Sequence, residues 1–208
     1  MAVGGALGYG DARLCLWTQC WKNVARIVRA VNLPVTLDFE GGYAVDGAAL
    51  ADNFSRALGT GIVGCNFEDQ VIGGAGLHTT AVQAARIAAL RGAAERAGID
   101  AFINARTDVF LKAPPTEHGD ALLDEALARG RAYAQAGASG LFLPGLRDAA
   151  LIERACAESA LPVNIMVMPN VPPLAQLKTL GVQRVSYGPG PGQLAMKAIE
   201  DAAKIALA

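Results

Sequence analysis

The chain has 208 residues with 18 basic and 19 acidic side chains, a formal charge of −1, so it offers no basic excess to attract nucleic acid or an anionic membrane surface. Its composition is 52% hydrophobic, enough for a sheet covered on both faces. No apolar run reaches the roughly 20 residues that span a bilayer, and no basic segment followed by an apolar one opens the chain. These features predict a cytoplasmic globular protein without nucleic-acid or membrane partners. Its four cysteines, Cys15, Cys20, Cys65 and Cys156, form no Cys-x-x-Cys pair and have no histidine at zinc spacing, and Cys65 reads as a small core residue within an apolar strand.

In chain order, residues 4–22 hold glycines, Asp11 and a Trp- and Cys-containing segment, with no convincing strand. Val24, Ile27, Val28 and Val31 then follow the i, i+3, i+4, i+7 rule of an amphipathic helix. Apolar, β-branched runs recur near residues 34–40, 62–67, 101–105, 140–144, 161–167 and 183–187. Between them lie helical stretches, of which residues 82–97 close at Gly98 and residues 121–136 close at Gly137. Repeated strand–helix alternation predicts an α/β fold with a parallel sheet and helices outside. No linker or composition break divides the chain, so residues 1–208 read as one domain. A closed barrel is the preferred form, but an eight-stranded barrel of typically about 250 residues needs two strands more than the six found here. The shortfall lies at the front, and the expectation is a (β/α)8 TIM-type barrel lacking its first two strands, an N-terminally incomplete copy.

The strand ends carry the chemistry. The first run, LPVTLDFEGGY, ends in Asp38 and Glu40, which alternate onto one side of a strand and so share a direction. The second ends in Glu68-Asp69, and the third in Arg106-Thr107-Asp108. Carboxyl ends of parallel strands are where α/β proteins place ligands, so three strands ending in charge predict a shared site. Asp38, Glu40 and Glu68 are hard oxygen donors suited to Mg2+. The Arg106 guanidinium can hold a carboxylate through two parallel hydrogen bonds, or form a structural ion pair with Asp108 or a neighbouring carboxylate.

These residues carry a family resemblance. Leu7-Gly8, Asp11, Trp17-Thr18-Gln19 and Asp38-Phe39-Glu40-Gly41-Gly42-Tyr43 occur in order, followed by Asn66-Phe67-Glu68-Asp69 and Ala105-Arg106-Thr107-Asp108. The set continues through Asp124-Glu125-Ala126 and the run from Gly137 to Pro144 to Val182-Gln183-Arg184-Val185-Ser186-Tyr187, and it resembles the phosphoenolpyruvate mutase / isocitrate lyase superfamily over nearly the whole chain. The resemblance implies a barrel enzyme acting on small 2-oxo or carboxylic acids through an enolate-like intermediate, with Mg2+ or Mn2+ at the mouth and commonly as a homo-oligomer. It maps the metal positions onto Asp38, Glu40 and Glu68, a nearby carboxylate onto Asp11, the substrate arginine onto Arg106 and a pocket asparagine onto Asn164. Catalytic roles thus fall to Arg106, Asp11 and Glu68. Ser186 and Tyr187 are rim candidates.

Departures are equally specific. Glu40 stands where the family pattern has Asp. The loop after Glu68-Asp69 reads Gln70-Val71-Ile72-Gly73-Gly74-Ala75-Gly76-Leu77-His78, without the Lys-Lys/Arg-Cys-Gly-His of the lyases or the Lys and Asn of the phosphonate-forming members. His78 is left as the conspicuous proton carrier there. The Ser-Gly pair of the substrate cradle has no counterpart. The resemblance therefore implies a carbon–carbon lyase of the methylisocitrate or isocitrate type, with phosphonate C–P mutase or hydrolase chemistry and oxaloacetate decarboxylation as alternatives. A non-catalytic, truncated relative is the alternative of another class.

Overall fold

The computed structural model describes residues 17–207. Asp11 and the Leu7-Gly8 segment fall outside them. After helix α1 (Trp17–Ala30) come β1 (Thr36–Asp38), α2 (Gly47–Leu58), β2 (Gly64–Glu68), α3 (Thr80–Arg96), β3 (Phe102–Arg106) and the single turn α4 (Val109–Lys112). There follow α5 (Asp120–Gln135), β4 (Gly140–Phe142), α6 (Ala149–Glu158), β5 (Val163–Met166), α7 (Leu174–Thr179), β6 (Arg184–Ser186) and α8 (Gly190–Leu207). All six expected strands form, four within their predicted windows and β2 and β3 running one residue past theirs. The predicted helix ends also hold, with Gly98 and Gly137 at positive φ just beyond α3 and α5. In α1, Val24 is buried and Val28 packs against the core, whereas Ile27 stays exposed and Val31 falls beyond the helix end.

The strands pair in parallel in the order β1-β2-β3-β4-β5-β6. Neighbouring strands sit about 4.8 Å apart, so a flat six-stranded sheet would hold its outer strands about 24 Å from each other. Instead Arg184 Nη2 on β6 donates to Thr36 Oγ1 on β1 across 3.1 Å. The sheet is therefore curled into a half-barrel, six strands of the barrel expected from the sequence.

Period-2 alternation divides the side chains. Cys65, Phe67, Ile103, Ala105, Leu141, Val163 and Ile165 belong to the core formed with Leu50 and Phe54 of α2, Ile87 and Leu90 of α3, and Leu123 and Leu127 of α5. The other face is polar: Thr36, Asp38, Asn66, Glu68, Asn104, Arg106, Asn164, Arg184 and Ser186 fall on alternate positions. Register aligns Glu68 with Arg106, Arg106 with Phe142, and Phe142 with Asn164, one rung running across four strands.

Candidate active site

Along this rung the structure aligns three of the residues the sequence singled out, Glu68, Arg106 and Asn164, with Asp38 opposite Asn66, two residues before Glu68. Arg106 ends β3 with its side chain 20% exposed. Its Nε and Nη2 donate to Oδ1 and Oδ2 of Asp108 at 2.6 and 2.9 Å, and its Nη1 reaches Glu68 Oε2 at 2.9 Å. The guanidinium also packs over the Phe142 ring, 5.9 Å from its centroid. Both structural ion pairs foreseen for Arg106 thus exist. They orient the group without exhausting it, because a guanidinium has five N–H donors and these contacts engage three.

Glu68 is 4% exposed, and burial pushes its carboxyl up to about 7. Arg106 acts against the rise, while Asp108, Asp38 and Glu40 add to it. Although burial opposes its charge, Arg106 is held protonated by Asp108 and Glu68. Asp38 ends β1, and Glu40 lies in the turn that follows, where its carbonyl accepts from the Glu68 backbone N–H at 3.0 Å. Among the described residues, however, no three His, Cys, Asp or Glu side chains converge as a ready-made metal cage. As hard oxygen donors, the Asp38, Glu40 and Glu68 carboxylates are of the type that would suit a Mg2+ ion keeping several of its waters.

The turn carrying Glu40 is held from outside the strand. Glu40 and Tyr43 adopt φ of 49° and 57°, and strain of this kind persists only where surroundings over-determine it. Arg86, buried on α3, supplies that constraint by donating through Nη2 to the carbonyls of Gly41 and Ala44 at 2.5 and 3.2 Å, with its guanidinium over the Phe67 ring. Asp69 does the same for the next two strand ends. Fully buried, it accepts from the Asp108 backbone N–H at 3.0 Å, Arg129 Nη1 at 3.2 Å and the Tyr133 hydroxyl at 2.9 Å. Sequence reading passed over both Asp69 and Arg86 as site supports. A buried-face Arg within an Ala-rich helix was the available signal for Arg86, but Asp69 gave none beyond its place beside Glu68.

Gln70 extends the network into the glycine-rich loop. With its amide oriented to satisfy both neighbours, Gln70 Nε2 donates to Asp108 Oδ2 at 3.2 Å and Oε1 accepts from Lys112 Nζ at 3.2 Å. The loop closes through a bridge between Gln70 and Leu77. At its end His78 is tied by its backbone, donating to the Asp69 carbonyl and accepting from Arg129 Nη1. Burial, and then the Arg86 charge, lower the basicity of its imidazole.

Asn164 lies on the same rung but is fully buried, its amide nitrogen donating to Ser186 Oγ at 3.0 Å. The described structure gives it the contacts of a satisfied buried amide. Tyr187, beyond it, is half exposed at the rim.

A family model described as phosphoenolpyruvate phosphomutase matches residues 1–207. A crystal structure of a provisionally assigned phosphonomutase from Burkholderia cenocepacia J2315 superposes with a TM-score of 0.95 at 46% identity, covering 99% of this chain and 81% of that one. Among curated proteins, a probable 2-methylisocitrate lyase of Corynebacterium glutamicum is 29% identical over 96% of the chain and 65% of its own length. An oxaloacetate decarboxylase of Ectopseudomonas mendocina is 30% identical over 94% of the chain and 66% of its own length. The chain spans from 60% to 66% of the length of these first curated relatives.

Proposed function

The chain belongs to the phosphoenolpyruvate mutase / isocitrate lyase superfamily of lyases and mutases, and from that premise we propose that it is a Mg2+-dependent lyase-type enzyme. Its substrate is a small 2-oxo or carboxylic acid, and its chemistry passes through an enolate-like intermediate. The observation that carries this reading is Arg106: a partly exposed guanidinium fixed by Asp108 and Glu68, with two N–H donors left to hold a substrate carboxylate or growing oxyanion. In metal-free protein burial pushes the Glu68 carboxyl up to about 7, within the range where a side chain can exchange a proton. Asp38, Glu40 and Glu68 are the residues that would hold a Mg2+ ion, whose charge would stabilise an enolate oxygen. Asn164, on the same rung as Arg106, and Asp11 remain the candidate pocket asparagine and the candidate carboxylate beside the metal.

Two further reactions are supported by particular relatives. The 46% identity to the Burkholderia protein favours phosphonate chemistry, and the Ectopseudomonas relative favours oxaloacetate decarboxylation. Each reaction acts beside a carboxylate that Arg106 can hold. Turnover of oxaloacetate, 2-methylisocitrate and phosphonopyruvate with Mg2+ therefore sorts the three.

Arg106→Lys keeps the charge and loses the fork, so turnover or oxalate affinity falls at least tenfold while the melting temperature changes little. Equal turnover and affinity in a folded Lys variant removes Arg106 from the substrate. For the metal, calorimetric titration with Mn2+ shows binding by wild type and markedly weaker binding by Asp38→Ala. Identical isotherms remove the ion from Asp38.

A further inference from the structure

A cavity of about 650 Å³ opens on the strand-end side of the sheet and shares no lining residue with the Arg106 site. Three connections build it: the segment after α4, the loop from β4 to α6, and the loop from β5 to α7. Its volume lies in the roughly 300–1,000 Å³ range of small-molecule sites. Leu146, Leu151 and Val171 give it an apolar wall, and Arg147 gives it a cation.

Arg147 is the informative group. Its Nε is buried and has no hydrogen-bond partner among the described residues. Buried donors are nearly always paired, since an unpaired one has lost water and gained nothing. Its neighbour Asp148 does not answer it, because that carboxylate caps α6 by accepting from the Leu151 backbone N–H at 3.0 Å. Ala149, the first residue of α6, also lines the cavity, at the end of the helix where backbone N–H groups lack intrahelical acceptors. Asn170, with a left-handed φ of 69°, and Gln176 also line the cavity, and each amide offers both a donor and an acceptor. Arg147 is the one cationic side chain among the lining residues, beside the carboxylate of Asp148.

We propose that this cavity is a second ligand site, for a small organic anion whose carboxylate or phosphate group is held by Arg147 and whose apolar body lies against Leu146, Leu151 and Val171. The inference is independent of the reaction at Arg106.

Calorimetry with benzoate, phenyl phosphate and benzyl alcohol tests it on wild type, Arg147→Met, Arg147→Gln and Arg106→Lys. Saturable binding of benzoate or phenyl phosphate is expected, at least tenfold tighter than the uncharged alcohol. Both Arg147 variants lose at least tenfold in affinity, and Arg106→Lys retains it. Because Nε has no partner to lose, Arg147→Met melts no lower than wild type. Failure of both anions to bind wild type overturns the site, as does binding that survives in the Arg147 variants. Loss of binding in Arg106→Lys instead assigns the anions to the central site and overturns the proposal while leaving the reading of Arg106 intact. A marked fall in the melting temperature of both Arg147 variants makes Arg147 a structural residue and likewise overturns it.

Discussion

Glu68 and Arg106 face each other across 2.9 Å, yet burial still raises the Glu68 carboxyl to about 7. One cation is being shared by two carboxylates, with Asp108 taking the better geometry of the fork. The sign of the consequence follows from linkage. Between the ordinary carboxylate range and pH 7 the folded protein binds this proton more tightly than the unfolded chain does, so stability falls as pH rises through that window. In metal-free protein the Glu68 contribution to this fall is on the order of 3 kcal/mol. Glu68→Gln is expected to flatten the profile, and melting curves from pH 4.5 to 8 on both proteins check it. If the two profiles run parallel, Glu68 is ionised throughout and the Arg106 attraction outweighs burial.

At the scale of elements, the strand-end turns are positioned by helices behind the sheet. The turn after β1 is the tightest case: Gly42 has φ of 71°, and a Cβ there would sit 2.2 Å from Leu50 Cδ1 and 3.0 Å from the Phe67 ring. Gly73 in the loop between β2 and α3 has nearly the same φ, 75°, with nothing within 4 Å of its would-be Cβ. Comparing the two separates backbone strain from packing. Gly42→Ala is expected to cost roughly 2 to 5 kcal/mol, the sum of the left-handed penalty and overpacking, whereas Gly73→Ala costs only about 1 to 2 kcal/mol. Chemical denaturation measures both. Equal losses mean that α2 yields to the added methyl and does not hold the turn rigidly. Metal affinity at Asp38 is expected to weaken in Gly42→Ala alone, because that turn directly follows Asp38.

For the whole molecule, the apolar surface left outside the core is concentrated in α8. That helix has no buried residue, and Leu194, Met196, Ile199, Ile205 and Leu207 are all more than 60% exposed. Leu33 and Val45, flanking β1 at the sheet edge, are exposed as well. Apolar surface on this scale, together with β1 as an edge strand among the described residues, favours association. The 208-residue chain is expected to form a dimer or larger species. Light scattering across a concentration series checks this, with Ile199→Lys/Ile205→Lys expected to shift the species toward monomer. A monodisperse wild-type monomer that the double substitution leaves unchanged removes α8 as the contact. Among the described residues no helix is long and apolar enough to cross a membrane, so α8 is not a spanning segment.

The sequence by itself determined where the six strands run, that they are parallel, and that Asp38, Glu68 and Arg106 end three of them. These are local properties: a period of two along a strand and strand–helix alternation are written into consecutive residues. The family, too, was legible from motifs in order along the chain. The tertiary structure alone decided that Arg106 is oriented by both Asp108 and Glu68, and that Asp69 ties β2 and β3 to Arg129 and Tyr133, 60 and 64 positions later. It also decided that Asn164 is closed off by Ser186, and that three separate connections line an open cavity beside Arg147. Those outcomes depend on strand register and on the curl of the sheet. Register brings residues far apart in sequence to hydrogen-bond distance, and no local periodicity encodes which of several carboxylates a buried cation will meet.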